Sequence, residues 1–538
     1  MKKNITKILA GICLSSTLFM TTGCIEETFP TGSATEDQLT SSSMATSAML
    51  WAIPGSLNVP GRISSDYHWD WGYGSIIHIR DVMTEDMAVV SSGYDWYQSW
   101  EMNQNQGESY VYPQFIWNSY WQSMLPVNKL IGATNLETAT EAQVGYVAAA
   151  RAFRAMLYID MARMFEFLPN DKTQGANVEG LTVPIVTEAT TEADARNNPR
   201  VTREEMKEFI LADLDFAEAN IEKSYVQGKP MSKTLPDLAA VYGLKARCYM
   251  WLEDYANARD YARKAIAASG LLPMTEDQCL STSKGFNDIN CWIWGSKMVS
   301  EDDVVKTSLL NWTSWMSNET AFGYSGHGPF IMIGKSLYDR LSDTDFRKKM
   351  WKAPQGGMLE GEEPFISGYE NVLPEYASIK FRPAEGNTED FNVGAASAYP
   401  LMRVEEMFFI EMEAAAQLGD ANALSLLTGF MTTYRDPEYA FAGTGEKLIE
   451  EIIFQKRIEL WGEGQTFFDV KRLNMSVTRG YEGTNFSDAV RFNTNGRPAW
   501  MNICIVQTEK NNNEALRGYE NPDPSDKYEA WIDPNAQN

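Results

Sequence analysis

Residues recur at helical spacing through two long stretches of the chain, 112–270 and 400–473, and lose that period elsewhere. In the C-terminal stretch Val404, Met407, Phe408, Glu411, Ala415 and Leu418 share one stripe, Gly419-Asp420 punctuates it, and Ala423, Leu426 and Leu427 resume it, which predicts a helical hairpin. A further helix runs through Leu448, Ile452, Phe454, Arg457, Glu459 and Leu460, and Gly462 and Gly464 stop it before Phe467 and Phe468. In the N-terminal stretch a pair of capping boxes marks helix starts. Thr140 with Gln143 opens a stripe of Val144, Val147, Arg151, Arg154, Tyr158, Met161 and Phe165, closed by Pro169. Thr202 with Glu205 opens one of Met206, Phe209, Ile210, Leu214, Ala217 and Ile221. After Pro236, Tyr242, Ala246, Tyr249, Tyr255, Ala258, Ala262 and Ala265 follow the roughly 34-residue tetratricopeptide pattern, whose small alanines let paired helices approach. GDANAL at Gly419 repeats the device. The predicted fold class is mainly α: a tetratricopeptide-like scaffold of helical pairs carrying irregular loops and a few short strands, in one body spanning 41–538.

The start of the chain reads differently. Lys2, Lys3 and Lys7 precede the apolar run Ile8–Met20, too short to anchor by spanning, and Thr21-Thr22-Gly23-Cys24 follows. This predicts a secretory signal over 1–23 with lipidation of Cys24, the alternative being ordinary cleavage that leaves Cys24 a plain thiol. Residues 24–40 are expected to serve as a polar tether. Losing the leader removes three lysines and no acid, so the formal charge moves from −26 to −29. Such a surface repels phosphate backbones, which excludes nucleic acid as a partner and favours neutral ligands.

Catalytic motifs are absent. The three histidines, His68, His78 and His327, are too scattered for a metal site, and HExxH, GxSxG, Walker A and GxGxxG are all missing. Glu301-Asp302-Asp303 lacks the alternating ligands and glycine of an EF-hand and reads as a solvated turn. No enzyme, cofactor or metal is implied. No CxxC pair exists; Cys248 falls on an apolar helical face, and Cys279 and Cys291 flank a loop that a disulfide could close.

RVEEMFFIEMEAA, then Arg435, then RIELWGEG and FFDVKR resemble the C-terminal signature of the SusD/RagB family, surface lipoproteins of Bacteroidetes that capture nutrients. Upstream, RAFRAMLYIDMAR, Val183-Pro184, the helix of Ile210, Asp213, Leu214 and Ala217, and the tetratricopeptide-like pair follow the family order, so the resemblance covers most of 112–473. Thr466 departs from it, standing where the family has Arg. Glu405, Glu406, Arg457, Glu459, Glu463, Asp469 and Arg472 are expected to satisfy one another on packed helices, away from ligand. The resemblance implies glycan capture for a SusC-like TonB-dependent outer-membrane transporter, with a RagB-like oligopeptide receptor as the alternative. It also gives Ile25-Glu26-Glu27 the look of a surface-export tag.

Function then belongs to the loops, mainly 60–110, 271–399 and 474–538, rich in Gly, Pro, Asn and aromatics. Residues 94–121 hold ten aromatics in 28 positions against 12% for the chain. Phe115, Trp117, Tyr120, Trp121 and Leu125 keep helical spacing and read as core, whereas Trp96, Tyr97 and Trp100 mix with Gln98, Asn103, Gln104 and Asn105 without a buried face. A pyranose needs flat rings for its C–H face and amides for its hydroxyls. The family keeps a second ligand loop in the middle insertion, here NWTSWMSNETAFGYSGHG with Trp312, Trp315, Phe322, Tyr324 and His327. The expectation is one shallow glycan site lined by Trp96, Trp100, Asn103, Trp312, Trp315 and Tyr324, each ring weighed against simple packing under its loop. Trp69 and Trp71 of HWDWGYG are the next candidates.

Overall fold

The structure is a computed structural model that describes residues 43–532 and 534. The expectations for the signal segment, Cys24 and the tether lie outside the described residues. The longer helices are α1 (Ser43–Gly55), α2 (Tyr73–Val82), α3 (Val111–Ala133), α4 (Glu141–Phe165), α5 (Arg203–Asn220), α6 (Leu238–Trp251), α7 (Tyr255–Ser269), α8 (Val404–Gln417), α9 (Ala423–Tyr434), α10 (Glu446–Glu459) and α11 (Thr466–Arg472). No helix among the described residues is long and apolar enough to cross a membrane.

Both capping boxes form. Gln143 N donates to Thr140 Oγ1 at 3.3 Å while Thr140 N donates to Gln143 Oε1 at 3.0 Å, and Thr202 and Glu205 repeat the exchange at 3.3 and 2.9 Å. Helix α4 packs on α3 and α5, α6 on α7, α7 on α8, and α8 on both α9 and α10. The hairpins α6–α7 and α8–α9 are the tetratricopeptide-like pairs, and Ala258, Ala262 and Ala265 are fully buried on the close face of α7. Gly145 shows how tight the scaffold is: a methyl group there would lie 2.2 Å from Ser224 N.

The signature charges pair inside the scaffold. Glu459 accepts from Arg435 at 2.7 Å and from Arg347 and Arg403 at 3.1 Å, and Arg403 also reaches Glu405 (3.0 Å) and Glu463 (2.9 Å). Arg247 holds Glu406 at 2.6 Å, and Asp469 takes Lys456 at 2.7 Å and Arg472 at 3.0 Å. Arg457 binds Glu85 at 2.7 Å and also Asp86. The departure at Thr466 is absorbed here, because its hydroxyl donates to Asp86 Oδ2 at 2.7 Å.

The strands are short and tie loops to the helices. Strands β1 (Met87–Val89), β2 (Trp294–Lys297), β3 (Ile331–Ile333), β4 (Ala398–Met402), β5 (Phe492–Asn493) and β6 (Glu529–Ala530) form three antiparallel pairs, β1–β3, β2–β4 and β5–β6. The first matters most for the site. Met87 pairs with Ile333 and Val89 with Ile331, and Val90 N continues the ladder to Phe330 O at 3.0 Å, so the early loop and the middle insertion leave the same ladder side by side.

Cys248 is buried, and burial pushes its thiol up to about 12. Cys279 and Cys291 are both free thiols, so the disulfide considered for that loop does not form. Asp302 Oδ2 accepts from Val299 N at 2.8 Å, which makes the acidic triplet the head of a turn.

Candidate functional site

Two segments released by the β1–β3 ladder meet a third, the stretch around His68. The His68 ring stacks on Trp96 with centroids 4.5 Å apart and planes 22° from parallel, and its Nδ1 shares a hydrogen bond with the Tyr324 hydroxyl. Tyr324 in turn lies flat on Trp315, at 4.4 Å and 16°. Trp315 Nε1 donates to the His68 carbonyl at 3.2 Å, closing the ring of contacts. His68, Trp96 and Tyr324 are half-buried, Gln98 is exposed, and Tyr94 is 65% exposed two residues before Trp96. Together they make a rim of rings open to solvent at one side.

Below the rim the rings are core. Trp315 meets Tyr97 edge-on at 4.8 Å, and Trp100 meets Trp69 at 5.5 Å and Tyr112 at 4.9 Å, both nearly perpendicular. Trp71 Nε1 donates to Tyr97 Oη at 2.8 Å. The stack thus runs from solvent into the molecule without a gap.

This depth divides the expected site. Trp96 and Tyr324 stand on the rim, but Trp100, Trp312 and Trp315 are at most 1% exposed and Asn103 is fully buried. Those four are corrections to the expectation of surface contacts. Trp312 stacks on Tyr399 at 4.9 Å and meets Phe381 at 5.1 Å, away from the rim. Asn103 adopts left-handed backbone at φ 50°, and its Nδ2 donates to Pro524 O at 2.9 Å, clamping the distant C-terminal segment. Trp69 and Trp71 are also core. Sequence reasoning misses His68; its signal is that it is the outward neighbour of Trp69 in the aromatic HWDWGYG stretch.

The rim is electrically neutral in its rings. Burial lowers the His68 pKa from its ordinary 6.5, against a smaller opposite pull from Asp66, so the imidazole is neutral near pH 7. Burial raises the Tyr324 phenol, against a hydrogen bond from Trp96. A neutral imidazole and a phenol can each donate and accept along one edge, and an indole N–H can donate there. A separate open groove of about 720 Å³ lies in the middle insertion, lined among others by Phe365, Lys352 and the carboxylates Glu360, Glu363, Glu370 and Glu375. Among the described residues no group of three or more His, Cys, Asp or Glu is placed to hold a metal ion.

Two family models match this chain. One, described as the SusD family, matches residues 375–531, and the other, described as starch-binding associating with outer membrane, matches 73–250. Among solved structures, a SusD-like carbohydrate binding protein from Bacteroides vulgatus is 22% identical, with a TM-score of 0.68 over 89% of this chain and 98% of its own. A SusD superfamily protein from Bacteroides thetaiotaomicron is 16% identical with a TM-score of 0.66, covering 89% and 99% of the two chains. Surface glycan-binding protein A from Bacteroides uniformis is 17% identical with a TM-score of 0.62, again over 89% and 99%. No curated protein matches the sequence. The two models between them take in the α4–α6 scaffold and the whole buried-charge signature from Glu405 to Arg472, and on that ground the chain belongs to the SusD family.

Proposed function

We propose that this protein is a cell-surface glycan-binding lipoprotein that captures oligo- or polysaccharide at the His68–Trp96–Tyr324 rim and delivers it, unhydrolysed, to a SusC-like TonB-dependent transporter. The observation that carries the reading is the convergence of three half-buried rings from separate segments on one neutral, solvent-facing edge. A sugar ring stacks its C–H face on such rings and turns its hydroxyls to His68, Tyr324 and the nearby Gln98. Membership of the SusD family and the names of two structural relatives support a carbohydrate ligand. The formal charge of −26 favours a neutral glycan over an anionic one.

Screening the purified protein against oligosaccharide and peptide panels, with hydrolysis assayed in parallel, tests the reading. Binding of a glycan without product release is expected. A peptide ligand would instead make the protein a RagB-like receptor, and release of sugar would make it a glycosidase. For the glycan found, Trp96→Ala should lose roughly 1–3 kcal/mol of binding, by analogy with bases stacking on aromatics, a ~5- to 150-fold weaker Kd. Its melting temperature should stay close to the parent's, because the ring is only half-buried.

The lipid belongs to the same proposal. Cys24→Ala should move the protein from the membrane to the soluble fraction on cell fractionation; a variant that stays membrane-bound rules the anchor out. Co-purification of a TonB-dependent transporter with the parent tests delivery independently.

A further inference from the structure

Between α4, α6, α8, α10 and α11 the scaffold leaves a cavity of about 40 Å³. By the ~10–15 Å³ that one water requires, it has room for about three waters, or one dehydrated monovalent ion with company, and none for a sugar. Its wall is rich in cations, and most of them are matched. Arg163 holds Asp160 at 2.6 Å, which Arg80 from outside the wall also reaches at 2.9 Å; Arg203 takes Glu166 at 2.7 Å and Arg247 takes Glu406 at 2.6 Å. Lys456 and Arg472 share Asp469, with Glu413 as a second partner of each.

Lys471 has no such partner among the described residues. It is 3% exposed, lines the cavity, and donates to the carbonyls of Met164 and Glu166 at 2.9 and 2.7 Å. An ammonium has three N–H groups, so one is left without an acceptor among the described residues. The carboxylate of Glu166, which also lines the cavity, is already taken by Arg203 on both oxygens and by Trp251 Nε1 on one. Two further buried cations lie close by and end on neutral acceptors. Arg200 ends on four backbone carbonyls and the Asn521 amide oxygen, and Arg497 ends on the carbonyls of Pro169, Lys471 and Arg472. In a protein that is strongly acidic overall, six basic side chains line this pocket against three carboxylates. A buried, unpaired ammonium is costly and either sheds its proton or acquires a counter-ion.

We propose that the cavity is an anion site that holds one monovalent ion of chloride size, with Lys471 as its principal cation. The bound ion takes the third N–H of Lys471 and offsets the charge that the surrounding carboxylates leave over. The site sits inside the helical scaffold and is independent of the glycan reading, since none of its wall comes from the aromatic rim.

Crystals of the purified protein soaked in sodium bromide test this directly. An anomalous bromide peak inside the cavity, within hydrogen-bond reach of Lys471 Nζ, is expected. Melting of the parent should rise as chloride replaces gluconate, an ion too large to enter, at constant ionic strength; for Lys471→Met the two salts should give the same melting temperature. No bromide in the cavity, or an equal chloride response in parent and variant, overturns the proposal. If Lys471→Met does not fold, the bromide map of the parent still decides.

Discussion

Glu459→Ala should destabilise the protein by about 3–5 kcal/mol, the range for removing one partner from a buried ion pair. Three guanidiniums converge on this single carboxylate, which is 2% exposed, and Arg403 also donates to its main-chain carbonyl at 2.7 Å. The substitution leaves Arg347 with Asp345 and Arg403 with Glu405 and Glu463, but Arg435 keeps only a longer contact to Glu405, at 3.5 Å, and two carbonyls. The loss therefore falls on Arg435 at the end of α9 and on α10 together. Chemical denaturation should show it as a lower midpoint with an unchanged slope. The same node sets an acid limit. Burial alone would raise the Glu459 pKa, but Arg435, Arg403 and Arg347 outweigh it and hold the carboxyl well below its ordinary 4.5. A carboxylate with a depressed folded pKa contributes its full stability above the unfolded value and loses it as pH falls through the folded one. The gap in stability between parent and Glu459→Ala should thus be constant at neutral pH and shrink below about 4.5.

Trp100→Ala should cost a similar amount, about 3–5 kcal/mol, for the cavity left by a large buried ring. Trp69, Tyr97 and Tyr112 all pack on it and cannot collapse into the space without leaving their own partners, since Tyr97 is held by Trp71 Nε1 and Ser75 Oγ. Thermal melting should fall by several degrees. Glycan affinity, measured well below the variant's melting range, should change far less than in Trp96→Ala. Two tryptophans four positions apart are thereby expected to fail in opposite assays.

The scaffold is legible in the sequence because its information is local. A capping box such as Thr140 with Gln143, or alanines at helical spacing on α7, can be read from a few neighbouring residues, and the buried signature charges can be assigned to mutual pairing from their placement on packed helices. Helix α2 is not legible, for the opposite reason. All ten of its residues are buried, His78, Arg80 and Asp81 among them, so it has no polar face and no period to detect. The site is half legible. Loop composition places aromatics near Trp96 and Tyr324, but which rings face solvent depends on the β1–β3 pairing and on contacts such as Asn103 with Pro524, 421 positions apart. No local pattern separates a ring on the rim from the ring beneath it. His68 escapes a sequence reading because a lone histidine suggests a metal ligand more readily than a stacking surface.

The most direct test is a crystal structure of the protein with the glycan that the binding panel selects. A sugar ring is expected against Trp96, with hydroxyls within hydrogen-bond distance of His68 or Tyr324, and with Trp100 and Trp315 unmoved below. Sugar seated elsewhere, as in the groove between Lys352 and Glu375, with the Trp96 face empty, would contradict this expectation.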